Sequence, residues 1–122
     1  MNPTLLKLFA GVALVFGLVL AWSNHQAVMR SDPRRNQADS DITLLSASWC
    51  GYCKSERRAL IAANVPFREL DVEQDEEGTK AYEALGGHGI PVTVIGKEVV
   101  HGFDTQRLNQ LLVARGYPVN LQ

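Results

Sequence analysis

The chain has two cysteines, three residues apart, in Cys50-Gly51-Tyr52-Cys53. Two thiols cannot build the multi-bridge framework of a small secreted scaffold, nor a four-thiolate zinc or iron centre within one molecule. They act as a pair or separately, and this spacing says pair. An apolar run, Ile42 to Ser46, leads into the motif and a helical pattern leads away from it, which sets Cys50 at the amino end of a helix. Unpaired backbone N–H groups at such an end favour thiolate over thiol. Lys54, Arg57 and Arg58 add positive potential on the following turns. Cys53 falls one turn on and on the same face, within reach of a mixed disulfide at Cys50. The arrangement suits a two-step exchange in which Cys50 attacks a substrate disulfide and Cys53 then releases the reduced product. Another use of the pair is half of a zinc site completed by His88 and His101. Those histidines lie 13 residues apart, outside the usual short ligand spacing, so no metal site is expected. Two inert buried cysteines are a further reading, disfavoured because Trp49, Gly51 and Tyr52 place Cys50 at a turn.

The elements that must position the pair follow from pattern. Ile42 to Ser46 is short, β-branched and apolar, as in a strand buried on both faces. Tyr52 to Asn64 reads as a helix with Cys53, Leu60 and Ala63 near one side, stopped at Asn64-Val65-Pro66. Phe67 to Val72 reads as a second strand, and Asp75-Glu76-Glu77 open a helix that buries Ala81, Tyr82 and Leu85 and ends at Gly86-Gly87. Pro91 to Ile95, a turn at Gly96-Lys97 and Glu98 to His101 form a hairpin. Asp104 or Thr105 caps a last helix with Leu108, Leu111 and Leu112 as its apolar stripe, closed by Gly116 and Pro118. The order is βαβαββα. Strand, helix, strand demands a right-handed parallel crossover and the hairpin adds an antiparallel pair, so an α/β fold with a mixed four-stranded sheet is expected. Pro91, opening a strand that faces the dithiol loop, has no N–H to give the ladder; its isomer is not legible in sequence.

The 122 residues leave room for one small domain plus an appendage, and the net charge of −1 gives no field that would draw in nucleic acid. The appendage is apolar. Leu8 to Trp22 carry no charge, and the 19 residues from Thr4 to Trp22 reach roughly 28 Å as a helix. With Lys7 near one end and Trp22 at the other, residues 4–22 read as a single-pass membrane anchor. A cleaved signal peptide is the alternative for residues 1–22, with Val19-Leu20-Ala21 or Ala21-Trp22-Ser23 at the junction. Residues 23–40 are polar, lack apolar period and read as a flexible linker, leaving 41–122 as the domain. Basic residues on both sides of the anchor leave the domain's side, cytoplasmic or periplasmic, open.

Trp49-Cys50-Gly51-Tyr52-Cys53-Lys54, Gly89-Ile90-Pro91 and Gly102-Phe103-Asp104, in this order, resemble a glutaredoxin over roughly residues 41 to 115. The resemblance implies a thioredoxin fold, a cis Pro91, Cys50 as nucleophile and Cys53 as resolving thiol. It also implies that Ile90 presents backbone groups to a bound peptide or glutathione, with Trp49, Tyr52, Gly102, Phe103 and Asp104 around the same substrate site. No resident cofactor is implied, and glutathione enters as a co-substrate. Three departures mark the chain. Ala47 replaces the lysine common three residues before the first cysteine, which pairs with a glutathione carboxylate. Gly51 replaces the usual proline. His101 to Thr105 look closer to glutaredoxin-like reductants that draw electrons from thioredoxin reductase. The lost proline also resembles cluster-carrying members that hold a [2Fe-2S] centre between two subunits, an alternative that Ala47 weakens.

Overall fold

The computed structural model describes residues Met1 to Gln122. Its sheet grows outward from β1 (Ile42–Ser46), whose five residues are all buried. β1 pairs in parallel with β2 (Arg68–Asp71), Leu45 opposite Leu70, and antiparallel with β3 (Val92–Ile95), Leu44 opposite Thr93. β4 (Glu98–His101) completes the order β2-β1-β3-β4 through the hairpin at Gly96. The predicted mixed four-stranded sheet is the observed one, and Pro91 stands just before β3, outside the ladder.

Alternation along the strands sends side chains to two covered faces. Under α3 (Gly51–Ala62) and α5 (Thr105–Ala114) lie Ile42, Leu60, Ile95, Val100, Leu108, Leu111 and Leu112. Under α4 (Glu76–Ala84) lie Leu45, Leu70, Ala81 and Val92, with Tyr82 and Leu85 partly buried against them. Gly78 belongs to α4 for a steric reason. A Cβ there would overlap the carbonyl of Asp71, so the residue that weakens an isolated helix is the one that lets α4 reach the end of β2. The expected cap of α5 is present, the Asp104 carboxylate accepting the Arg107 N–H at 3.0 Å.

Residues 23–40 depart from the expected structureless linker. A single helix, α1 (Pro3–Arg30), runs past the apolar stretch, and a short turn, α2 (Pro33–Asn36), follows with Asp32 as its cap. Gln37 then ties the segment to the sheet: its Nε2 donates to the carbonyls of Gly96 at 2.9 Å and Val94 at 3.2 Å, while Thr43 Oγ1 donates to its Oε1 at 2.8 Å. Arg115 Nε donates to the Asp39 carbonyl at 2.7 Å. Polar side chains meeting backbone carbonyls leave no apolar period in sequence, which is why the pattern read as loop. No residue of α1 is fully buried, and its 28 residues are long and apolar enough to cross a membrane, a property that anchors and signal sequences share.

Candidate active site

Cys50 is the N-cap of α3, with extended backbone (φ −77°, ψ 111°). The capping atom is its sulfur: the Cys53 N–H donates to Cys50 Sγ at 3.2 Å. An N-cap accepts from the free amides of the first turn, and here the acceptor is the atom that must carry charge when the thiol ionises. Gly51 follows without crowding, since a Cβ there would meet nothing within 4 Å. Cys50 and Cys53 are joined as a disulfide with Cα atoms 5.2 Å apart. Cys53 is fully buried and Cys50 is 5% exposed, so incoming chemistry meets Cys50 first.

The opposite wall is the segment before β3. The Ile90-Pro91 peptide is cis, the isomer that the resemblance implied. The Ile90 carbonyl oxygen lies 4.0 Å from Cys50 Sγ. Gly102 is brought alongside by its N–H, which donates to the Pro91 carbonyl at 2.8 Å. Trp49 and Tyr52 stand exposed on either side of Cys50, and the Trp49 indole donates to Glu73 at 2.6 Å. Trp49, Cys50, Tyr52, Cys53, Ile90, Pro91 and Gly102 therefore share one end of the sheet. Phe103 and Asp104 are otherwise engaged: Phe103 packs against the core under α3 and α5, and Asp104 caps α5. Ala47 is buried against both cysteines and carries no charge to this end.

Of the three expected cations only Lys54 and Arg58 are free. Arg57 is spent on Glu69, Nε to Oε2 at 2.8 Å, and Ser46 Oγ donates to the same carboxylate at 2.6 Å. The Arg57 hydrogen bond first, then that of Ser46, hold Glu69 below the ordinary glutamate range against its partial burial. His88 and His101 are exposed, and no group of three or more His, Cys, Asp or Glu side chains is placed to hold a metal ion.

One residue of this region escaped sequence reasoning. Glu56, one turn beyond Cys53, is fully buried against the sheet. Thr93 Oγ1 donates to its Oε1, and its Oε2 meets no partner. Burial pushes its pKa up to about 7, against the opposing pull of the Thr93 hydrogen bond. The signal was present: Cys53, Glu56 and Leu60 follow the helical stripe, and the charge of Glu56 argued for the other side.

A glutaredoxin family model matches residues 42–100, from the first residue of β1 through Val100. The thioredoxin-like protein BC3987 is 30% identical, its whole length covered by 59% of this chain at a TM-score of 0.55. The chain belongs to the glutaredoxin family. Two Mycobacterium tuberculosis proteins, of strains CDC 1551 / Oshkosh and H37Rv, are both named "Putative glutaredoxin" and are 30% identical over 46 residues. That match takes in 38% of this glutaredoxin and 55% of each relative's length. A glutaredoxin-like NrdH-redoxin from Escherichia coli is 27% identical over 58% of this chain and 93% of its own, with a TM-score of 0.53. A buckwheat glutaredoxin solved with glutathione shares the fold, with a TM-score of 0.63 over 80% of this chain and 97% of its own at 17% identity.

Proposed function

We propose that this glutaredoxin is a thiol-disulfide oxidoreductase that reduces or exchanges disulfides through Cys50 and Cys53, with α1 holding it at a membrane. The observation that carries the reading is the position of Cys50 Sγ, hydrogen-bonded to the Cys53 N–H at 3.2 Å and open toward the Ile90 carbonyl at 4.0 Å. In the reduced chain the same N–H and the positive end of α3 stabilise the thiolate relative to the thiol. Cys50 attacks the substrate disulfide and expels one substrate sulfur. Cys53 then attacks Cys50 Sγ, expels the second substrate sulfur and leaves the Cys50–Cys53 bridge. Ile90, Pro91 and Gly102 offer backbone to a bound chain and Trp49 and Tyr52 flank it, while Phe103 and Asp104 support this end from the core and from the cap of α5.

The substrate class is a protein disulfide, or a mixed disulfide with glutathione. Ala47 favours the former, because a buried methyl group cannot neutralise a glutathione carboxylate. The E. coli relative, whose structure is described as the basis of a thioredoxin-like activity profile, is in line with a thioredoxin-reductase-type donor. Reduction of insulin disulfides tests the assignment, and Cys50→Ser as active as the parent would refute it. Supplying electrons through glutathione with its reductase, or through thioredoxin reductase, ranks the donors; equal support from both would remove the argument from Ala47. Residues 4–22 as a single-pass anchor predict that the chain stays with membranes after alkaline carbonate extraction. Release of a shortened soluble chain would assign α1 to a signal sequence instead.

A further inference from the structure

The exchange at Cys50 leaves one proton unaccounted for. Cys53 is fully buried and has to lose its S–H proton to attack, yet no solvent reaches it and its own N–H is directed to Cys50 Sγ. Glu56 occupies the next inward position on the same helix face, where side chains three residues apart stand about 5–6 Å from one another at Cβ. The facing strand repeats this order. The Ile90-Pro91 segment, whose Ile90 carbonyl oxygen lies 4.0 Å from Cys50 Sγ, leads directly into β3, where Thr93 is the donor to Glu56. The carboxyl and its hydroxyl partner thus form a layer directly behind the dithiol, and Oε2 is left without a partner in a fully buried site. A buried, unpartnered carboxyl oxygen is costly and is retained where its charge or proton is used.

We propose that Glu56 is the proton acceptor for Cys53 when that thiol attacks the mixed disulfide at Cys50. The inference rests on the oxidoreductase reading. The Cys53 proton passes to Glu56 Oε2 and the sulfur's electron pair forms the bond to Cys50 Sγ. The bond from Cys50 to the substrate sulfur breaks, and that sulfur leaves as a thiolate that takes a proton from water. When a dithiol donor reduces the bridge, the steps reverse and Glu56 returns its proton to Cys53. The groups facing it make this workable near neutrality. α3 supplies Cys53 and Arg57, the latter turned to Glu69 of β2, and the helix end brings Cys50. On the same side of the sheet β1 has Leu44 and Ser46, β3 has Thr93, β4 has Val100, and α5 packs Leu108 and Leu112 there; none of these titrates. Desolvation therefore dominates and sets the carboxyl at about 7.

The test separates the two thiols. Reduced full-length chain is mixed in stopped flow with 5,5′-dithiobis(2-nitrobenzoate), which first caps Cys50 and then loses its second aromatic thiolate when Cys53 attacks. In Glu56→Gln the first phase keeps its rate and pH profile, while the second slows roughly 10-fold or more and loses its rise through about pH 7. Glu56→Asp restores part of the rate. An unchanged second phase, or an equal fall in both phases, overturns the proposal. A parent chain that releases no second thiolate refutes the oxidoreductase reading itself and the proposal with it. Should the variants fail to fold, carboxyl NMR of the parent decides: Glu56 titrates near 7 when oxidised and moves on reduction to the dithiol, and an identical titration in both states contradicts the assignment.

Discussion

The two faces of the sheet are built by different rules. Under α4 the core is Leu45, Leu70, Ala81 and Val92, and the buried hydroxyl of that side, Thr43, is bonded to Gln37 at 2.8 Å. Under α3 the helix stripe runs Cys53, Glu56, Leu60, burying a carboxyl with an unpaired oxygen among aliphatic side chains. One face follows the packing rule throughout, and the other breaks it one turn behind the thiols. Core elements are free to be ordinary where they only hold the sheet, and a departure that costs stability marks where the protein does chemistry.

The comparison breaks most visibly at Cys50. Cys50→Ser removes the sulfur proposed to attack, and insulin-disulfide turnover is expected to fall to the uncatalysed background with the fold intact. On the other face, Leu45→Ala empties a fully buried position and is expected to lower unfolding free energy by roughly 2–5 kcal/mol. Its denaturation midpoint should fall, while the pH profile of Cys50 alkylation should stay in place. A shifted profile would mean that the faces are not separable.

The buried carboxyl sharpens the contrast through pH. Its folded pKa of about 7 lies above the 4.5 of an ordinary glutamate, so the native state binds more protons between those values and stability falls as pH rises across them. The full loss, on the order of 3 kcal/mol, is reached above about pH 7. Glu69 acts oppositely. Its pKa is lowered by Arg57 and Ser46, so its contribution is present above the unfolded value and lost as pH falls through the folded one. Urea titrations across this range should therefore show parent stability declining toward neutrality and Glu56→Gln nearly flat from pH 5 to 8. A parent curve as flat as the variant's would remove the burial cost. The smallest effect belongs to Gly78→Ala on the α4 face, where the new methyl meets the Asp71 carbonyl. A loss of about 1–3 kcal/mol is expected in place of the helix-propensity gain, with both thiol-exchange phases unchanged.

Much of this was legible in the chain. β1, Ile42–Ser46, and β4, Glu98–His101, fall where the apolar patterns place them, and α5 starts at its predicted cap. These elements carry their own signals, alternation or a capping carboxylate followed by a stripe. Helix ends were less sharp, Tyr52 to Asn64 in expectation and Gly51–Ala62 in the structure, because the terminal turns rest on single hydrogen bonds. Residues 23–40 were missed since Gln37 and Asp39 bind through polar atoms, which look the same in a loop. Glu56 was missed for a related reason: charge argues for solvent, and only the sheet's arrival over α3 shows that it is buried.

The central claim is that the amide-capped sulfur of Cys50 is the acidic, attacking thiol. Rates of iodoacetamide alkylation of the reduced chain as a function of pH test it most directly, with Cys53→Ser used so that one thiol reports. The account predicts a rate that levels off well below the free-cysteine value of about 8.5, with most of the reactivity already present at pH 7. A rate still climbing through pH 8.5, as for an ordinary thiol, would contradict it.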